Sequence, residues 1–287
     1  MILVTASTGQ LGTAVVNYLL EKVPATQIAV LARDAQKAQA FADKGISVRI
    51  GDYKNYDSLV AAFQGVEKVL LISSNDFDDR FGQHKNAIDV AKEAGVKQVA
   101  YTSIEAKDAH NSATEIIAKD HALTADYLKA SGLSYVLLND SLYADVVPMF
   151  VGEKVLETGI FFPAGNGKVP FATREDMALA AATVLATEGH DNKEYAIANN
   201  EEYSLADVAA YLTEISGKEI AYVSPDEETY KAVLTEAGVP EIYIWMFCVF
   251  AKSIKEHEYE TGKADLEALI GRKPTTLKDY LTGVYGK

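Results

Sequence analysis

Ile2-Leu3-Val4-Thr5-Ala6-Ser7-Thr8-Gly9-Gln10-Leu11-Gly12 carries the chain from a short apolar run, through a turn of small residues, into a stretch with helical spacing. Strand, glycine turn and helix in that order are the setting a dinucleotide fingerprint demands. Gly9 would let the backbone approach a pyrophosphate, and Gly12 would let the helix pack closely on its strand. The first helical turn would add N–H donors and positive potential. Ala6, Ser7, Thr8, Gly9, Gln10 and Leu11 are therefore the expected phosphate-binding loop. Ala6 stands where this motif normally begins with glycine, and a Cβ there costs about 1 kcal/mol if the backbone needs a positive φ.

Outward from this turn the first half repeats one unit, a valine- and isoleucine-rich run followed by a helical stretch. The runs are 1–5, 27–32, 47–50, 68–73, 98–102 and 134–138. Short, β-branched and apolar throughout, they suit strands buried on both faces of a parallel sheet. Helices are expected over 11–22, 35–44, 57–64 and 83–94, with Gly45, Gly65, Gly95 and Gly132 as their stops. This predicts an α/β, Rossmann-like, doubly wound parallel sheet whose ligand crevice lies beyond the carboxyl ends of the strands. After Asn139 the alternation breaks at Pro148, Gly152, Gly159, Pro163, Gly165, Gly167 and Pro170. Residues 1–140 form the expected nucleotide-binding domain, and 171–200 (a helix over 174–187, a strand over 194–198) return to it. Residues 141–170 and 201–287 form a smaller, discontinuous α+β substrate lobe, with a helix capped at Ser204 and a short strand near 220–223.

Composition narrows the function. The 287 residues are 48% hydrophobic and 24% charged, and 27 basic against 41 acidic residues give a formal charge of −14. That balance disfavours nucleic acid, whose binding is driven by counterion release. One cysteine, Cys248, excludes an intrachain disulfide, and the N-terminus lacks the basic and apolar regions of a signal peptide, so a cytoplasmic location is expected. The most apolar late stretch, 242–251, is half of the roughly 20 residues that a membrane helix needs. No His/Cys/Asp/Glu cluster has metal-ligand spacing. The expected partner is a small molecule, and the chain is expected as a monomer or homodimer.

About 20 residues beyond the glycine turn, the second strand ends in Leu31-Ala32-Arg33-Asp34. A guanidinium there binds a 2′-phosphate bidentately, which favours NADP(H) over NAD, while Asp34 is read either as a helix cap or as a hydroxyl ligand. By position, Ser73, Ser74 and Asn75 after the fourth strand lie along the phosphates and the nicotinamide ribose. Asn139 and Asp140 at the end of the sixth orient the carboxamide, unless they merely form a turn.

These segments, together with Gln83-His84-Lys85-Asn86, Ala94-Gly95-Val96-Lys97, Tyr101-Thr102-Ser103, Ala172-Thr173-Arg174 and Glu188-Gly189-His190, resemble the NmrA-like branch of the atypical short-chain dehydrogenases/reductases. Within it the likeness is to bacterial NAD(P)H quinone oxidoreductases and triphenylmethane reductases, and it spans nearly the whole chain. The resemblance implies NADPH-dependent reduction of quinones or related flat conjugated acceptors. It implies a cofactor held by Gly9, Gln10, Leu11, Arg33, Ser73, Ser74 and the segment after the sixth strand, with a further contact from Arg174. Where the family commonly reads Arg-Asn this chain has Asn139-Asp140, and the family's His-x-x-Thr-Glu helix ends here in Ala125. An aspartate beside the nicotinamide is expected to change the local charge.

The tyrosine–lysine pair of typical short-chain dehydrogenases is missing, because Glu115 to Lys119 contains no tyrosine. Tyr18 with Lys22 and Tyr259 with Lys263 match the spacing only by coincidence. Quinone reduction can proceed by positioning alone. Tyr143 is then the candidate donor to the acceptor oxygen and His121 the candidate proton source near neutral pH, each weighed against a packing role. The aromatic segment 243–250 reads first as core and second as a wall for a flat substrate. An enzyme is expected; the alternative is a non-catalytic, NAD(P)-binding redox-sensing regulator.

Overall fold

The computed structural model describes residues 1–286 apart from Phe77, Ala113 and Thr114, and of Glu115 and Ile116 only the backbone. Its seven-stranded sheet is built from β1 (Ile2–Val4), β2 (Ile28–Ala32), β3 (Ser47–Ile50), β4 (Lys68–Leu71), β5 (Gln98–Ile104), β6 (Ser134–Asp140) and β8 (Lys193–Ile197), with β7 (Ile160–Phe161) lying between the last two in sequence. The order is β3-β2-β1-β4-β5-β6-β8, and every neighbouring pair is parallel. The chain reverses direction across the sheet at β1, so a crevice opens beyond the carboxyl ends of β1 and β4, as the alternation predicts.

Period-two alternation divides the strand side chains between two cores. Ile2, Val4, Val30, Leu70, Ala100, Val136 and Leu138 pack beneath α1 (Gln10–Leu20) and α8 (Arg174–Ala186). On the opposite face Leu3, Leu31, Val69, Leu71, Tyr101 and Leu137 meet α3 (Tyr56–Ala62), α4 (Arg80–Glu93) and α5 (Glu115–Ala130). The alanines of α8 let it lie close against α1, and Thr173 caps it by accepting from the Asp176 N–H. The glycines read as helix stops, Gly45, Gly65, Gly95 and Gly132, all take positive φ.

A third core is drawn from 142–171 and 203–281. It contains α6 (Val147–Val151), α7 (Val155–Thr158), β7 paired in parallel with β9 (Tyr222–Val223), and α9 (Leu205–Ser216). It is completed by α10 (Glu227–Glu236), α11 (Glu241–Lys255) and α13 (Leu277–Tyr285). Ser204 and Asp207 close a full capping box on α9, as their spacing predicts. Gly167 admits α11 closely, since a Cβ there would stand 1.7 Å from the Ile254 carbonyl oxygen.

Two expectations need correction. The helix read over 35–44 is reduced to α2 (Gln39–Ala42) with turns on both sides, because Asp34 accepts from the Gln36 N–H at 2.8 Å and starts a tight turn instead of capping a helix. Segment 201–287 is not wholly separate from the sheet, since α12 (Leu266–Ile270) packs on α8 and β8 and Leu266 joins the first core.

Candidate functional site

The glycine turn is tied to three strand ends by small polar side chains. Thr5 Oγ1 donates to the Leu70 carbonyl and accepts from the Ile72 N–H, both at 2.9 Å, while Ser7 Oγ donates to the Leu31 carbonyl at 3.0 Å. The Tyr53 hydroxyl meets Thr5 Oγ1 and the Ile72 carbonyl (2.9 Å), so Tyr53 braces the floor. Ser7 is buried with its hydroxyl engaged and its carbonyl accepting from Thr13 Oγ1 at 2.9 Å; Thr8, Gly9 and Gln10 are exposed and Leu11 is buried. Ala6 takes φ +46°, the conformation in which its missing glycine would have been expected. The turn wraps around the Ala6 carbonyl, which accepts from Gly9 N–H at 3.0 Å and would lie 2.6 Å from a Cβ on Gly12. Gly9 provides no side-chain cap to α1 and no acidic residue occupies the first turn, so its N–H groups are open to an anion.

Beside this turn, Arg33 stands exposed one residue past β2 and forms no ion pair among the described residues. Asp34 spends a carboxylate oxygen on its own turn. On the other side, Ser73 N–H donates to Thr102 Oγ1 (2.9 Å) and Ser74 N–H to His84 Nε2 (2.9 Å), while Ser74 Oγ donates to Gln83 Oε1 (3.0 Å). Asn75 next to them is exposed. Thr124 Oγ1 donates to the Asp120 carbonyl at 2.7 Å, so it accepts from His84 Nδ1–H at 3.0 Å, and His84 Nε2 is the bare, accepting nitrogen. Burial, then the Arg80 charge, push the His84 pKa down to about 3, which locks this neutral tautomer.

His121 does not fit the part of a proton donor near neutral pH. Its Nδ1 shares a hydrogen bond with the Tyr101 hydroxyl at 2.9 Å, and burial, Arg80 and then His84 hold its pKa well below the usual value. It is a neutral member of the network beneath the β4–α4 loop. Thr5, Tyr53, Thr102, Gln83 and Thr124 position the loops, yet no local pattern announced them, because their partners are 9 to 67 residues away.

At the end of β6, Asn139 and Asp140 point to opposite faces, and Asp140 is buried. The Tyr143 hydroxyl donates to Asp140 Oδ2 at 3.4 Å, and the guanidinium of Arg174 lies 5.1 Å from the centre of the Tyr143 ring. Arg174 spends its charge on Asp145, with Nη1 to Oδ1 at 2.8 Å and its backbone N–H to Oδ2 at 2.9 Å. Burial raises the Asp140 pKa well above the carboxylate range, only partly opposed by the Tyr143 hydroxyl, and burial, then Asp140, raise that of Tyr143. Burial therefore works against the negative charge expected at this position. Ser141 Oγ, buried beside it, has no hydrogen-bond partner among the described residues.

The aromatic segment of α11 is core on one side. Phe247 and Phe250 pack on Phe150, which stacks on Phe162 at 4.9 Å. Its other side, with Ile244, Trp245 and Cys248, lines a cavity of about 680 Å³ shared with α10, formed without any residue of the strand ends. Burial pushes the Cys248 thiol up, as suits an inert buried cysteine. Tyr18 lies on α1 and Tyr259 is buried in the third core, so neither joins the crevice. No group of three potential metal ligands assembles among the described residues, and none of their helices is long and apolar enough to cross a membrane.

A doubly wound sheet with an uncapped helix N-terminus at its reversal point defines a Rossmann-like protein built to hold an anionic nucleotide there. The sequence profile of the NmrA-like family matches residues 1–282, and the chain belongs to that family. It is 38% identical over 286 residues to quinone oxidoreductase 2 of Escherichia coli K12, covering 99% of each chain. The crystal structure of the NADPH-dependent quinone oxidoreductase from Escherichia coli complexed with NADPH superposes with a TM-score of 0.94 at 37% identity, covering all of both chains. Triphenylmethane reductase of Citrobacter sp. complexed with NADP(H) gives 0.91 at 37% identity over 99% of each chain.

Proposed function

We propose that this NmrA-like oxidoreductase uses NADPH to reduce quinone-like or other conjugated electrophilic small molecules. The observation that carries the reading is the full-length likeness to a quinone reductase holding NADPH. The residues present fit that cofactor: α1 offers an uncapped N-terminus, and the bare Gly12 lets the turn close against it where a Cβ would meet the Ala6 carbonyl oxygen. The backbone of Ala6 to Leu11 would hold the pyrophosphate, Arg33 the 2′-phosphate, and Ser73, Ser74 and Asn75 the ribose side. Asn139 would take the carboxamide, with Asp140 and Arg174 flanking it. When bound, NADPH supplies the hydride.

The protein's own part is to orient and to donate. His84 fixes Ser74 through its bare Nε2 and so sets the height of the loop after β4. Arg174, neutralised by Asp145, steadies the Tyr143 ring, whose raised phenol stays protonated and can donate to an acceptor oxygen. A flat conjugated acceptor delocalises the incoming electron pair, so the missing tyrosine–lysine pair is no obstacle. That absence does favour a second reading, a redox sensor that binds NAD(P) without turnover. Steady-state oxidation of NADPH against a panel of quinones separates the two: saturable, acceptor-dependent oxidation is expected, and tight cofactor binding with no oxidation by any acceptor would establish the sensor.

A further inference from the structure

We propose that the buried Asp140 carboxyl and the Tyr143 hydroxyl that meets it form a proton-delivery pair serving the reduced acceptor. The inference rests on the reductase reading and assigns the proton source that His121 does not supply. Asp140 is the last residue of β6, and its register partners Ile104 and Ile197 are apolar. The Tyr143 hydroxyl is at 3.4 Å. From α8, Arg174 faces this corner, but its guanidinium lies on Asp145 and against the Tyr143 ring. Just past β5, Glu105 gives its backbone N–H to the Asp140 carbonyl; its own carboxyl is buried, shifted upward by that burial, and turned to Thr261 and Lys263. Asp140 thus has an apolar pair as register neighbours, a phenol at its carboxyl, and nearby a cation that is already neutralised. A carboxyl in such a place keeps its proton.

The reaction needs that proton. Two-electron reduction of a quinone consumes one hydride and one proton, and the hydride carries both electrons from the dihydronicotinamide, which is oxidised. For transfer the Tyr143 hydroxyl turns from Asp140 to the oxygen left anionic and gives it the proton as that O–H bond breaks, and the phenol oxygen, now facing the carboxyl as acceptor, takes the proton of Asp140. The Asp140 carboxylate is then reprotonated from water, so the net consumption is one NADPH, one proton and one quinone per hydroquinone. Tyr143 alone would be left as a buried phenolate beside Asp140, which its raised pKa disfavours.

The test uses the whole chain and the Asp140→Asn variant, whose amide fills the same space and still meets Tyr143. Equal thermal melting and equal circular dichroism spectra of the two establish that the variant is folded. Infrared difference spectra of the protein without cofactor, near neutral pH, are expected to show a protonated carboxyl band that Asp140→Asn removes. With menadione as acceptor, wild-type kcat is expected to fall tenfold per pH unit above the titration of the acid. Asp140→Asn should lose this fall and run about 10²-fold slower, as the removal of a general acid does. Absence of the band, or an Asp140→Asn enzyme with wild-type kcat and pH profile, overturns the proposal and leaves the reductase reading standing. A band without turnover by the wild type on any acceptor overturns both.

Discussion

Replacing Ala6 with glycine acts on a single φ angle at the centre of the nucleotide turn. An L-residue at φ +46° carries roughly 1–2 kcal/mol of strain against its own Cβ. Glycine relieves that strain but has more freedom to lose on folding, which offsets about 0.5–1 kcal/mol. Ala6 is exposed, so its methyl takes no core packing with it. The net gain is about 0.5–1 kcal/mol, which in a chain of this size raises Tm by roughly 1–4 °C. Gly12→Ala works in reverse: its Cβ would come 2.6 Å from the Ala6 carbonyl oxygen and 2.7 Å from the Ser7 Cα, backbone atoms that must move. Overpacking of this kind costs about 1–3 kcal/mol, and it displaces the N–H groups meant for phosphate. Thermal melts followed by circular dichroism, with and without NADPH, read both effects. A loss of Tm in Ala6→Gly comparable to that in Gly12→Ala would show that the turn is not strained at Ala6 and would refute the reasoning.

Arg33→Ala is expected to weaken NADPH by about 10- to 100-fold, the worth of hydrogen bonds to a charged phosphate, and NADH hardly at all; equal losses in parallel titrations would show that Arg33 does not read the 2′-phosphate. His84, held at about 3 when folded against an ordinary 6.5, is neutral in the native state while the unfolded chain binds its proton, so stability falls as pH drops through that window by about 1.4 kcal/mol per unit. Urea unfolding from pH 7 to 4 should therefore show a shallower dependence in His84→Gln, and identical slopes would contradict the assignment. Asp176 is fully buried and accepts from Arg272 Nη2 at 2.5 Å and from Thr275 N–H at 2.7 Å, so it pins 272–275 onto α8. Asp176→Ala should cost about 2–3 kcal/mol in urea unfolding, and no measurable loss would show that this tether is idle.

Much of the frame was legible because its determinants are local. Parallel strands such as Val4, Val30, Leu70 and Val136 are buried on both faces and so read as unbroken apolar runs, and the Ser204-to-Asp207 spacing names its own helix start. The glycine turn was legible in the sequence, which left open whether Ala6 takes the positive φ that the structure shows. What failed to show depends on contacts distant in sequence. Arg80 and His84 come from α4 and Thr124 from α5, and only their packing makes His121 neutral. Asp140 looks like an ordinary carboxylate in the sequence until burial raises its pKa, and Arg174 looks free until Asp145, 29 residues away, claims it. The contraction of α2 follows from a single Asp34 turn that competes with the helix for backbone donors.

The account stands or falls most directly on a titration of the purified protein with NADPH and with NADH, followed by nicotinamide fluorescence, with menadione then added to the same cuvette. It predicts tighter binding of NADPH and rapid, saturable loss of fluorescence on adding the quinone. Binding of neither nucleotide, or bound NADPH that no acceptor oxidises, would contradict it.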